Sequence, residues 1–270
     1  HRARQLQQRQ ARRIDHRDLG GADHGLVVAL EEGLFEGPRL VICGKALSQT
    51  GGHTDFRGRY DERDRGAFTR KLGSLGRIVD GVEELRRACR EEVKAGATFI
   101  KIMANGGVAS PTDPIAFYGF SREEIAAAVE EAEMAQTYVA AHLYTDDAIR
   151  RCVELGVRSV EHGNLVQAET AALMREKGAI ACPTLVTYEA LANEGASLGF
   201  PPESVAKIDD VRLAGLESLG IFREAGVTMA YGSDLLGPMH RHQSEEFVIR
   251  GRALAPHEVI RSATLDAAKL

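Results

Sequence analysis

Short apolar runs rich in β-branched residues alternate with longer amphipathic stretches from residue 38 onward. Short apolar runs are typical of buried strands, whereas a 3.6-residue periodicity is typical of helices. The alternation therefore predicts strands and helices in turn. The predicted strands are residues 39–44, 98–103, 138–144, 159–163, 179–185 and 228–234, and residues 17–21 can be the end of one more.

The stretches between the predicted strands carry start and stop signals of helices. The predicted starts are Asp80 with Glu83, Ser121 with Glu124, Thr145 and Pro256, and the predicted stops are Gly156 and Gly178. Neighbouring parallel strands need a helical crossover, so this repetition predicts a parallel α/β sheet. No G-x-G-x-x-G or Walker-type loop follows a predicted strand. An α/β barrel is therefore favoured over a nucleotide-binding open sheet.

Composition narrows the range of partners. The 270 residues are 44% hydrophobic, which is enough for one large core or two small domains. The net charge of −5 provides no basic field for nucleic acid or an anionic membrane, so a small-molecule partner is expected. No run approaches the roughly 20 apolar residues of a membrane span. On this basis we expect a cytoplasmic protein, which can form a homo-oligomer, and four buried free thiols at Cys43, Cys89, Cys152 and Cys182.

The first 17 residues differ from the rest of the chain. They contain six arginines and a single acidic residue, with almost no apolar face. Such a segment can bind an acidic partner or form a solvated end, and the second interpretation is favoured. The sequence thus predicts an atypical arginine-rich segment over residues 1–17 and a barrel domain over residues 18–270.

Four chemically active side chains lie at or near the ends of predicted strands: Lys101, His142, His162 and Asp234. In α/β barrels, functional side chains gather at the carboxyl ends of the strands. The two histidines are 20 residues apart, about one strand–helix–strand unit, so neighbouring strands would present them side by side to a divalent metal. Each residue alone has a structural explanation, such as a hydrogen-bonded histidine or a capping aspartate. Their coincidence at equivalent positions favours one shared site.

Lys101 lies inside an apolar strand, where a charged amine is costly unless it is paired or neutral. A neutral amine can react with carbon dioxide to give a carbamate, which can bridge two cations. It can also form a Schiff base, so a metal-free barrel lyase is an alternative.

Six motifs resemble the metal-dependent amidohydrolase superfamily, within it the imidazolonepropionase-like and prolidase-like branch. They are SQTGGHTD (48–55), FIKIMANGGVASPTDP (99–114), VAAHLYT (139–145), VEHGN (160–164), CPTLVTYEAL (182–191) and AYGSDLLG (230–237). The resemblance covers roughly residues 17–270 and implies a TIM-like (β/α)8 barrel. It also implies hydrolysis of an amide bond in a dipeptide or N-acyl amino acid by a metal-bound hydroxide.

The family pattern assigns expected roles to seven residues. It implies that Lys101 is carboxylated and bridges two zinc ions, with His142 and His162 as ligands of the second ion. Asp234 would bind the first ion and act as general base. Substrate contacts are expected from Tyr144, Tyr231 and His53.

The sequence departs from this pattern in two places. No H-x-H pair, which ends the first strand in the superfamily, precedes Lys101; His240 and His242 have the spacing but follow the last predicted strand. The small β-sandwich domain of similar enzymes has no counterpart. We therefore expect an incomplete barrel that lacks its first strand, one zinc ion or none, and weak or no dipeptide hydrolysis by these residues. The alternative is a non-catalytic truncated barrel that acts as a scaffold and binds at most one metal.

Overall fold

A computed structural model describes residues 15–66, 74–110, 112–199 and 207–270. The strands in these ranges are β1 (Asp15–Asp18), β2 (Arg39–Ile42), β3 (Ala46–Ser48), β4 (Gly76–Ile78), β5 (Ile100–Met103), β6 (Val139–Thr145), β7 (Ser159–Leu165) and β8 (Ile180–Cys182). The α-helices are α1 (His24–Glu31), α2 (Val82–Lys94), α3 (Arg122–Met134), α4 (Asp146–Glu154), α5 (Ala168–Lys177), α6 (Leu185–Glu194), α7 (Ile208–Ala225), α8 (Glu245–Arg250) and α9 (Pro256–Arg261). Strand and helix alternate along most of the chain, as the sequence predicts.

All strand pairs among the described residues are parallel. Six strands form one sheet in the order β4-β3-β5-β6-β7-β8, and β1 pairs with β2 in a second sheet. The amide of Thr98 donates to the carbonyl of Ile42 at 2.8 Å and links the two sheets. At the β8 edge of the larger sheet, Met229 pairs in parallel with Ala181 and extends the sheet by one position. The fold is the parallel α/β type that the barrel prediction requires, although the described strands do not close into a ring.

Five of the six predicted strands appear within two or three residues of their expected limits, as β2 and β5 to β8. The sixth, residues 228–234, is wrong as a strand, because it contributes only the paired position at Met229. The chain then leaves the sheet, and Asp234 adopts a φ of +48°, which is not strand geometry. The predicted extra strand near residues 17–21 lies slightly earlier, as β1.

The helix signals give mixed results. Ser121 and Glu124 form the predicted capping box at α3, and Gly178 ends α5 with a φ of +70°. The predicted start at Asp80 is wrong: α2 follows Gly81, and the Asp80 carboxylate instead accepts hydrogen bonds from the amide and hydroxyl of Thr50. Pro256 begins α9 as expected.

The core lies between the sheet and its helices. Every residue of β5 is buried, as are the first six of β6 and of β7. This burial agrees with the mostly apolar sequences of β5 and β6, whereas β7 also buries polar residues such as Glu161 and His162. The four cysteines are buried and free, which confirms the prediction. Within the described ranges, no helix is long and apolar enough to cross a membrane.

The boundary predicted between residues 17 and 18 falls inside β1. Arg17 reaches across the interior, where its guanidinium donates to both carboxylate oxygens of Glu161 at 2.9 Å and to the hydroxyl of Ser159 at 3.0 Å. This pairing attaches β1 to β7. Residues 1–14 lie outside the described ranges, so the division into two parts remains a prediction.

A buried ion pair in α8 connects the backbone after β8 with the segment that contains Met229. Arg250 and Glu246 of α8 have no exposed side-chain surface, and Nε of Arg250 donates to Oε1 of Glu246 at 2.7 Å. The same guanidinium donates to the carbonyls of Pro183 and Ala230 at 2.5 and 3.0 Å. One side chain therefore binds the backbone after β8 and beside Met229.

Replacing Arg250 with methionine is expected to lower the free energy of unfolding by about 3–5 kcal/mol, because it leaves Glu246 as an unpaired buried charge. Urea unfolding measures the change. Arg252→Met, at an exposed position two residues away, should change it by less than about 0.5 kcal/mol. Equal effects from both substitutions would show that the buried pair is unimportant.

Candidate active site

Lys101 lies in the middle of the sheet, in β5, and its side chain is buried. Burial lowers the pKa of its amine, an effect that the nearby carboxylates of Glu161 and Asp234 partly oppose. The charge of Lys101 in turn acts on His142, His162 and Asp234. Lys101 therefore lies within electrostatic range of the other three residues predicted for the site, and their common function remains a prediction.

His142 is buried in the middle of β6, next to the backbone that follows β5. Its Nε2 lies 3.1 Å from the carbonyl oxygen of Gly106. A carbonyl only accepts, so Nε2 carries the hydrogen and Nδ1 keeps its lone pair. Burial lowers the pKa of this imidazole well below its ordinary value, and neighbouring His53, His162 and Lys101 add to the effect. His142 is thus neutral, with Nδ1 available as a ligand atom.

His162 is the counterpart of His142 on the neighbouring strand β7, and the two ring centroids are 4.8 Å apart. Its backbone φ is +72°, an unusual value for a residue other than glycine. Nδ1 lies 2.7 Å from the hydroxyl of Thr184, which leaves Nε2 for a ligand. Burial lowers the pKa of this ring as well. The strained backbone and Thr184 together fix the direction of the ring.

Tyr144 is the third aromatic residue of the cluster. Its ring stacks on His162 at a centroid distance of 5.2 Å, and its hydroxyl accepts a hydrogen bond from Tyr188 at 3.0 Å. The side-chain oxygen of Asn105 accepts from the amides of Tyr144 and Thr145, which fixes the end of β6. Sequence reasoning missed the supporting residues Thr184, Tyr188 and Asn105, although all three lie inside the motifs that carried the resemblance.

Asp234 lies in the loop beyond Met229 and is accessible to solvent. It is nevertheless surrounded by protein, and the loss of hydration raises the pKa of its carboxyl to about 6, although the charges of Lys101 and His53 oppose this. A carboxylate of this kind exchanges protons near neutral pH.

His53 covers the cluster from the loop after β3. Its ring stacks on that of His142 at 4.1 Å with an interplanar angle of 16°. Nδ1 of His53 lies 2.9 Å from the hydroxyl of Ser110. His53 therefore forms part of the wall of the site, where it is positioned to meet a ligand.

Tyr231 and the His240–His242 pair lie elsewhere. The Tyr231 hydroxyl donates to the carbonyl of Gln243 at 2.9 Å, and its ring packs on Phe247 at 4.4 Å. Its substrate role remains a prediction. His242 contacts Glu194 and Glu245 at 2.7 Å on the surface, away from the four clustered residues.

A family model described as the amidohydrolase family matches residues 13–270. The chain belongs to this family. Ochratoxinase of Aspergillus niger is 34% identical over 265 residues, which cover 93% of this chain and 54% of the ochratoxinase. A prolidase solved with N-methylphosphonate-L-proline is 58% identical with a TM-score of 0.92, over 94% of this chain and 62% of that one. A Xaa-Pro dipeptidase solved with bound methionine is 29% identical with a TM-score of 0.81, over 95% and 63%. The chain thus spans between one half and two thirds of these relatives.

Amidohydrolases are generally metal-dependent, and neutral imidazole nitrogens are donors that suit a divalent cation. Two neutral imidazoles present Nδ1 of His142 and Nε2 of His162. Burial favours the neutral form of the Lys101 amine, and this side chain lies within electrostatic reach of both rings. In the described part of the chain, no three His, Cys, Asp or Glu residues form a metal-binding group by themselves, so a cation at this position would need Lys101 as the third ligand beside the two histidines.

Gly107 is required for the position of His53 in this amidohydrolase site. A Cβ atom on Gly107 would lie 1.7 Å from Nδ1 of His53. Gly107→Ala is therefore expected to displace the ring from His142 and to reduce kcat/KM by about 100-fold, since a displacement of about 1 Å has that effect. Gly220→Ala is the matched control, because a Cβ there has no neighbour within 4 Å. Activity assays and a melting curve of each variant check this, and equal activities would contradict it.

Proposed function

We propose that the protein is a metal-dependent amidohydrolase that cleaves the carbon–nitrogen bond of a dipeptide or N-acyl amino acid. The observation that carries the proposal is the convergence of Lys101, His142, His162 and Asp234, with both imidazoles neutral and each keeping one nitrogen for a ligand. The amide-hydrolysing relatives support the same class of reaction.

In this proposal His142, His162 and Lys101 hold a zinc ion, Lys101 as its carbamate. A divalent cation held there lowers the pKa of water and so supplies a nucleophile at neutral pH. Asp234 accepts the proton of the attacking water and passes it to the amine of the leaving group. His53, which stacks on His142, and Tyr144, which stacks on His162, contact the substrate in this proposal, and Tyr231 is a third expected contact.

The buried surroundings assist this reaction. Tyr144 and Tyr188 form a hydrogen-bonded pair beside the two imidazoles, and burial raises the pKa of both hydroxyls. They therefore remain protonated and can act as hydrogen-bond donors at neutral pH. A donor in a site that excludes water stabilises the negative oxygen of a tetrahedral intermediate more strongly than water does.

Binding of N-methylphosphonate-L-proline tests the proposal, because its tetrahedral phosphonate imitates the transition state of amide hydrolysis. The zinc-loaded protein is expected to bind it at least about 100-fold more tightly than the metal-stripped protein, as measured by calorimetry. Lys101→Met largely keeps the length and apolar packing of the side chain. This variant should bind the phosphonate with the same affinity whether or not zinc is present.

Two results would contradict the proposal. One is equal affinity of the parent and Lys101→Met for the phosphonate. The other is the absence both of zinc-dependent binding and of amino acid release from a panel of dipeptides and N-acyl amino acids. The expectation of weak turnover by these 270 residues remains a separate prediction, which the rate of amino acid release tests.

A further inference from the structure

The loop after β5 carries a buried carboxylate at Asp113 whose backbone is firmly held. The amide of Gly106 donates to the carbonyl of Phe117 at 2.8 Å, which closes the base of the loop. Nζ of Lys207 donates to the carbonyls of Gly107, Ser110 and Asp113 at 3.0, 3.1 and 3.3 Å. The position of Asp113 is therefore fixed by the fold before any ligand arrives.

The Asp113 side chain is only 2% exposed, yet neither carboxylate oxygen has a hydrogen-bond partner among the described residues. The nearest nitrogen is Nδ1 of His53, at 3.7 Å, and its hydrogen-bond partner is the hydroxyl of Ser110. The contacts of the Lys207 ammonium are with three carbonyl oxygens rather than with this carboxylate. A buried carboxylate without donors is unfavourable and requires an explanation, such as a ligand that supplies them.

Asp113 faces the cluster already described. His53 alone separates it from His142, since the His53 ring stacks on His142 at 4.1 Å and lies 3.7 Å from Asp113. The charge of Asp113 also reaches Tyr144 on the far side of His142. In a dipeptide, a single carbon separates the α-ammonium from the scissile carbonyl carbon. An ammonium group that contacts Asp113 would therefore bring the scissile carbonyl to the side of the His53–His142 pair.

We infer that Asp113 binds the α-ammonium group of the substrate, so that the protein acts on dipeptides with a free amino terminus rather than on N-acyl amino acids. This inference rests on the proposed function. An ammonium group supplies three donors and a positive charge to a carboxylate that has no donor of its own. The negative charge at this wall also repels the terminal carboxylate of a dipeptide, which fixes the direction in which the substrate lies.

The test compares Asp113→Asn with the parent protein, both zinc-loaded, on L-alanyl-L-proline and propionyl-L-proline, which differ only in the amino group. The parent is expected to have at least a tenfold higher kcat/KM for alanyl-proline. The kcat/KM of Asp113→Asn should be at least tenfold lower than that of the parent for alanyl-proline and within threefold of it for propionyl-proline. Asp147→Asn, at an exposed position on α4, should change neither value by more than twofold.

An equal loss on both substrates would show that Asp113 only supports His53 and would overturn the inference. Equal activity of the parent on the two substrates would overturn it as well. Asparagine has the same shape and removes a buried charge, so the variant should fold; Asp113→Ser is a second neutral variant, and melting curves check both.

A binding experiment separates this inference from the proposed function. If neither substrate releases proline, amide hydrolysis fails but the ammonium site is still testable with L-alaninamide and propanamide, which differ only in the ammonium group at pH 6.5. Ligand-observed NMR should show at least tenfold weaker alaninamide binding to Asp113→Asn than to the parent, with propanamide unchanged. Unchanged alaninamide affinity would overturn the inference whatever the outcome of the hydrolysis assay.

Discussion

Replacing His142 or His162 with alanine is expected to lower the zinc affinity of the purified protein by at least about 100-fold, since losing even an outer-shell partner can cost that much. Both rings are buried, neutral and supported through their second nitrogen, by Gly106 and Thr184. Removing either ring takes away one of the two imidazole nitrogens that the buried pair offers to a metal. Metal analysis after equilibrium dialysis measures the effect.

His240→Ala and His242→Ala are the matched controls, because this pair has the H-x-H spacing of a metal site. Hydrogen bonds that the ring donates to the carboxylates of Glu245 and Glu194 raise the pKa of His242, which favours the protonated ring without a free lone pair. Both variants are therefore expected to retain zinc as the parent does. If they lost it as completely as the buried pair, the metal would have been assigned to the wrong histidines.

Asp234→Asn is expected to reduce the rate of amide hydrolysis by about 1000-fold, in the range typical of a lost general base. The substitution preserves the shape of the side chain but removes its ability to accept a proton. The left-handed backbone at this position, with a φ of +48°, tolerates asparagine as well as aspartate, so the fold should not change. Mass spectrometry of the released amino acid over several hours follows rates far below one per second.

Asp209→Asn is the control for that substitution. Asp209 lies in the first turn of α7 and pairs with Arg212 on the surface. Asp209→Asn should leave the rate of amide hydrolysis within about twofold of that of the parent, as expected of a surface substitution. Equal rates for the parent and Asp234→Asn would exclude Asp234 as the base.

The sequence predicts the centre of the sheet better than its edges. β5 and β6 are buried along nearly their whole length and consist mostly of apolar residues, so their pattern is visible in the sequence. β3 and β4 have three residues each, and β4 contains a glycine and an arginine, so no apolar run marks them. The failed start at Asp80 has a similar cause, since its capping oxygens bind Thr50, which is 30 residues away.

In the candidate site, too, residues on central strands could be predicted from the sequence better than residues in loops. Lys101, His142 and His162 could be predicted because each lies in a recognisable strand, and neighbouring parallel strands bring residues at equivalent positions together. Tyr231 lies inside the predicted strand 228–234, which does not form beyond Met229, and its ring packs on Phe247. Asp113 could not be predicted as a buried carboxylate, because its burial depends on the carbonyl contacts of Lys207, which is 94 residues away. Contacts between distant loops leave no periodic signal in the sequence.

Hydrolysis of an Xaa-Pro dipeptide by the metal-stripped protein, measured while zinc is added back, tests the central claim most directly. If Lys101, His142, His162 and Asp234 form one metal-dependent centre, proline release should be absent after stripping and should rise in proportion to bound zinc. The rise should not occur in His162→Ala or Asp234→Asn. Proline release that is the same before and after stripping, or that zinc restores equally in both variants, would contradict the assignment.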